Sequence, residues 1–78
     1  MEALLAFESR TTADLAAIVA AGGGIVLDAA VRSTADLASI AAAARRSGAR
    51  VVFKNLEARS TVDLSIIAKA GGGNVLFD

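Results

Sequence analysis

The chain has no cysteine and no histidine, so a disulfide framework, thiolate or zinc-thiolate chemistry and imidazole acid-base catalysis are all excluded. Tyrosine is absent as well, and the aromatics are limited to Phe7, Phe53 and Phe77. Layers built from this sequence must therefore pack on small side chains, and the 19 alanines among its 78 residues favour helix while doing so. Little is left for catalysis, because the acids fall mostly in helix starts or along strands. The expectation is a non-enzymatic protein with no catalytic residues, no metal ligands and no cofactor.

Charge of one sign is lacking too. Eight basic residues balance eight acidic ones, so no net field draws the chain to nucleic acid or to an anionic membrane. The longest uncharged run, Leu15 to Leu27, is 13 residues and contains three glycines, well short of the roughly 20 apolar residues of a spanning helix. The opening "MEALLAFESR" carries an acid at position 2 and lacks the basic start of a secretory signal. These features, with the missing cysteine, lead to the expectation of a soluble, cytoplasmic protein. Apolar residues nevertheless make up 55% of the chain, and a domain this small buries only about 60% of the surface its unfolded form exposes. Apolar surface is left over for association to cover.

What the sequence does have is a repeat. Aligned on Arg10, Arg32 and Arg59, the periods are 22 and 27 residues, and the twelve residues from Arg10 match the twelve from Arg32 at nine positions. Each unit opens with Ser or Thr at 11, 33 and 60, Asp three residues later at 14, 36 and 63, then Leu at 15, 37 and 64. This is a capping box with Asp in the usual Glu position, the acid also meeting the positive end of the helix dipole. Apolar residues follow at helical spacing (Leu15, Ile18, Val19; Leu37, Ile40, Ala41; Leu64, Ile67, Ala68), one narrow inward stripe per helix. Gly22, Gly48 and Gly71 are expected to end the helices. Short apolar runs come next, "IVLD", "VVFK" and "NVLFD", with "ALLAFE" as a fourth at the amino end.

The chain thus reads β-α-β-α-β-α-β in a single domain, 1–78, with repeats near 1–21, 22–48 and 49–72 and a closing strand at 73–78. Alternate strand residues point to opposite faces. One face collects Ala3, Leu5, Phe7, Ile25, Leu27, Val51, Phe53, Val75 and Phe77 and is expected to take the helices. The other carries one apolar row, Leu4, Val26, Val52 and Leu76, followed by Ala6, Asp28, Lys54 and Asp78. In sequential strand order the last three become adjacent opposite charges, which argues for helices on one face only. The predicted fold is an α/β, short β-α repeat solenoid: a four-stranded parallel sheet in sequential order with three helices on one face. In architecture it is similar to leucine-rich-repeat solenoids, although the Leu-x-x-Leu-x-Leu and Asn spacing of that family is absent.

Two functional expectations follow. An edge strand left bare at each end of a repeating stack would template another copy, so Val75 and Phe77 at the edge, or the apolar row Leu4, Val26, Val52 and Leu76, are candidate self-association residues of a homo-oligomer or filament, with a protein partner on the open face as a variant. The alternative is a binding module for an anionic ligand or acidic partner at the row Arg10, Arg32, Arg59, Ser33 and Ser60, since helix amino termini attract anions. Against that stands a purely structural role, in which the hydroxyls cap and each arginine pairs with Asp14, Asp36 or Asp63. The glycine triplets at 22–24 and 71–73 lead from helix to strand, the wrong direction for a phosphate loop, and read as connections. Arg45, Arg46, Arg50 and Lys54 form a solvated basic cluster, two of them complementing a helix carboxyl end.

Overall fold

The structure, a computed structural model, describes residues 10–30 and 32–78. In chain order these form helix α1 (Thr12–Ala20), strand β1 (Ile25–Asp28), helix α2 (Thr34–Ser47), strand β2 (Val51–Lys54), helix α3 (Thr61–Gly71) and strand β3 (Val75–Phe77). The three strands make one parallel sheet in the order β1-β2-β3. The fourth strand expected over "ALLAFE", with Leu4, lies outside the described residues. Among the described residues, no helix is long and apolar enough to cross a membrane.

Local chemistry sets the helix starts. Thr11, Ser33 and Ser60 hold extended backbone angles as N-caps, and their hydroxyls accept from the main-chain N–H of Asp14, Asp36 and Asp63, each at 3.1 Å. One otherwise unpaired donor is satisfied at every start, and the acid beside it faces the positive helix end.

The helix ends follow the expected glycines in part. Gly48 caps α2 in the left-handed conformation. Helix α3, however, does not stop at Gly71: it runs through it, and Gly72 takes the left-handed cap at φ 55°. The reason for glycine at 71 is a close approach, since a Cβ there would sit 2.3 Å from Val75 Cγ2. In α1 the cap position is Ala21 in ordinary helical geometry, with the positive φ displaced to Gly22.

Register explains the layers. Ile25, Val51 and Val75 align across the sheet, as do Leu27, Phe53 and Phe77, and between these two rows lie Val26, Val52 and Leu76. Ile25, Leu27, Val51 and Phe53 are buried and share one core with Leu15 and Val19 of α1, Leu37, Ile40, Ala41, Ala43 and Ala44 of α2, and Ile67 of α3. Val26 and Leu76 are exposed on the other face. The helices therefore cover one face, α2 lying between α1 and α3. Small residues permit this spacing: Ala41, Ala43 and Ala44 of α2 are all buried in the core.

The charge row along the strand ends forms as anticipated. Asp28 pairs in register with Lys54, and Lys54 Nζ lies 3.6 Å from Asp78 Oδ2. The Asp28 carboxyl is held below its ordinary value, first by the hydrogen bond from the Ala30 N–H, then by the Asn55 side chain and the Lys54 charge, with desolvation opposing.

Candidate functional site

The arginine row joins the units to one another. Arg32, just ahead of α2, reaches back to the start of α1: Nη1 donates to Thr12 Oγ1 at 3.0 Å and Nη2 to the Arg10 carbonyl at 2.7 Å. Arg59, just ahead of α3, repeats the move one unit on. Its Nη1 donates to Thr34 Oγ1 at 2.7 Å, and its Nη2 donates to the carbonyl of Ala29 at 3.0 Å and to that of Arg32. A guanidinium is suited to this because its planar fork offers several donors in fixed directions, here towards neutral acceptors on one preceding turn.

Arg59 therefore departs from the expected partnership of each arginine with a helix-start aspartate, donating instead to Thr34, Ala29 and Arg32. Asp14, Asp36 and Asp63 belong to the caps, while the arginine fork spans to the preceding unit. Ser33 and Ser60 are exposed, and each accepts a cap hydrogen bond. Among the described residues Arg10 is exposed and its guanidinium has no partner.

A second set of ties runs along the opposite ends of the strands. Ser47 Oγ donates to the Val19 carbonyl at 2.7 Å, and Asn74 Nδ2 donates to the Ala49 carbonyl at 2.9 Å. The first ties the end of α2 to the last turn of α1, and the second ties the turn before β3 to the turn before β2.

The sequence marks the arginine row as an anion site and not as a tie between units, and it does not mark Ser47 or Asn74 at all. For the arginines a signal existed: the N-cap varies between Thr and Ser, whereas the residue after it is Thr in all three units, at 12, 34 and 61. A cap explains the first hydroxyl but not the second. Ser47 and Asn74 carry no such mark, because the turn lengths differ between units.

The candidate self-association residues fall into two groups. Val26 is 51% and Leu76 49% exposed on the open face, with Val52 half-buried between them. Val75 and Phe77 face the helix side of edge strand β3, and Phe77 is 42% exposed. Alternate residues of a strand turn their N–H and C=O to opposite sides. Because the Asn74 carbonyl accepts from Val51 and the Asp78 N–H donates to Phe53, the main-chain groups of Val75 and Phe77 point away from β2.

Helix α3 also carries an exposed apolar pair that the repeat pattern alone does not single out. Val62 and Ile66 are 68% and 48% exposed, one helical turn apart, where the earlier units carry Ala13 and Ala17, then Ala35 and Ser39. The signal was the replacement of small residues by large ones at matched positions.

Fold and site together define an α/β protein with a parallel three-stranded sheet, its successive units tied by arginine side chains. Comparison with known proteins finds no family model, no curated protein and no solved structure that matches the chain.

Proposed function

We propose that this chain is a non-enzymatic structural protein, a short β-α repeat solenoid that self-associates head to tail, the β3–α3 end of one copy being covered by the first unit of the next. The observation that carries this reading is the exposure of Phe77. It stands in register with Phe53 and Leu27; both of these are fully buried, whereas Phe77 is 42% exposed. A core row that stays open at the sheet edge is what a further unit of the same kind would close. A second copy supplies such a unit, and the heterologous contact it makes closes into a ring or continues as a filament.

Val26, Val52 and Leu76 support a competing geometry, a face-to-face homodimer, because they form an apolar row across all three strands, exposed at Val26 and Leu76 and half-buried at Val52. The anionic-ligand reading has less support: Arg59 already donates to three acceptors, and the hydroxyls of Ser33 and Ser60 already accept in caps.

Light scattering behind size exclusion tests the proposal. Phe77→Lys should reduce the assembly to single chains while Val52→Lys leaves it intact. The reverse pattern would establish the face-to-face dimer, and a wild-type monomer at tens of micromolar would overturn both.

A further inference from the structure

The geometry points to a specific fastener for this contact: Arg10 of one copy donates to Thr61 Oγ1 and to the main-chain carbonyls of Arg59 and Leu56 on the copy before it. This rests on the head-to-tail reading and adds the residue that sets its register.

The units present two filled acceptor sites and one unfilled one. A unit's acceptor set consists of the carbonyl of its own arginine, the hydroxyl two residues on and the carbonyl three residues back. Arg59 fills this set on the second unit, at Arg32, Thr34 and Ala29. Arg32 fills the carbonyl and hydroxyl of the first unit, at Arg10 and Thr12; the third position there falls outside the described residues. On the third unit the corresponding atoms belong to Arg59, Thr61 and Leu56, and among the described residues no side chain donates to them. Burial follows occupancy: Thr12 and Thr34 are partly covered and Thr61 is exposed.

The donor end matches. Arg32 and Arg59 are partly buried by reaching back, while Arg10, at the same position of the first unit, is exposed with no partner for its guanidinium among the described residues. Three neutral oxygens converging on one place attract a cation and repel an anion, so the site selects an arginine over a phosphate. A guanidinium also spreads its donors over separate nitrogens in a fixed planar fork, a geometry that the single tetrahedral ammonium of lysine does not reproduce.

Sedimentation velocity on the full chain tests the assignment. Arg10→Ala and Thr61→Val should each weaken association by at least about tenfold, with unchanged circular dichroism and denaturation midpoint of the dissociated chain. Arg10→Lys should fail to restore it, and Arg46→Ala, an exposed arginine outside the row, should leave it unchanged. Mixing Arg10→Ala with Thr61→Val should recover a heterodimer of near wild-type affinity, because one of the two possible contacts then has both of its groups intact. If the wild type associates but Arg10→Ala and Thr61→Val associate equally well, the fastener is wrong and the head-to-tail reading stands. If the wild type is monomeric, both fall.

Discussion

Phe53 and Phe77 sit side by side in the same row of one sheet, on the same face, at the ends of two strands with nearly the same sequence. One is fully buried and the other 42% exposed. The contrast continues through the two units: the half-buried Leu64 answers the buried Leu37, and the exposed Ala68 answers the buried Ala41. Repetition of the pattern therefore does not repeat the environment. An inner unit has neighbours on both sides, and the third unit has one among the described residues.

The largest expected effect breaks this pair directly. Phe53→Ala should cost about 3–5 kcal/mol in urea unfolding, enough to leave a chain this small largely unfolded, since a domain of this kind carries only about 5–15 kcal/mol in all. Phe77→Ala, measured at concentrations low enough to dissociate the proposed assembly, should cost about 1 kcal/mol or less, its effect appearing in association instead. Equal losses for the two would erase the distinction between inner and edge units.

Next in size is Gly71→Ala, which installs the residue that the middle unit carries at the matched position, Ala44. Helix α2 has 14 residues against 11 in α3, so at Ala44 the helix continues, whereas at Gly71 the chain turns and brings Val75 against it. The added methyl would meet Val75 Cγ2 at 2.3 Å. A destabilisation of about 1–3 kcal/mol is expected from the displacement this forces, and a neutral substitution would show that the turn relaxes freely.

The arginines sharpen the comparison at a smaller scale. Arg59→Ala removes donors from Thr34, Ala29 and Arg32 within one chain and should lower the stability of the dissociated chain by about 1–2 kcal/mol. Arg10→Ala, without such contacts among the described residues, should leave that stability within about 0.5 kcal/mol of wild type. Matching losses would place Arg10 in the same kind of contact inside its own chain.

Asp28 has the smallest effect and a pH signature. Its carboxyl is held below the ordinary range, chiefly by the Ala30 N–H. The charged form is thus favoured by folding: the stabilisation is present above the unfolded value of about 3.9 and is lost as pH falls through the lower folded value. Asp28→Asn should therefore lower stability slightly at neutral pH and converge with wild type in acid. Parallel stability curves would remove Asp28 from the account.

The repeat made much of this legible. Period, caps, strand phase and the Asp28–Lys54–Asp78 row all depend on local spacing, and the sequential order of β1, β2 and β3 follows from the alternating charges. What was not legible depends on how far side chains reach. Arg59 spans from ahead of α3 to the Thr34 hydroxyl and the Ala29 carbonyl, and a main-chain acceptor leaves no mark in a sequence. Gly71 reads as a helix stop because glycine usually is one; its place inside α3 is tied to the nearness of Val75, a packing fact. Val62 and Ile66 fit the helical pattern in either orientation, so their exposure waited on the position of α3 at the edge.

The central claim, that copies of this chain stack head to tail, is tested most directly by sedimentation velocity of the wild-type chain over a wide concentration range. The account predicts a weight-average mass that rises with concentration beyond that of two chains and falls to one in Phe77→Lys. A mass fixed at one chain throughout, or a wild-type plateau at two chains that Val52→Lys abolishes and Phe77→Lys does not, would contradict it.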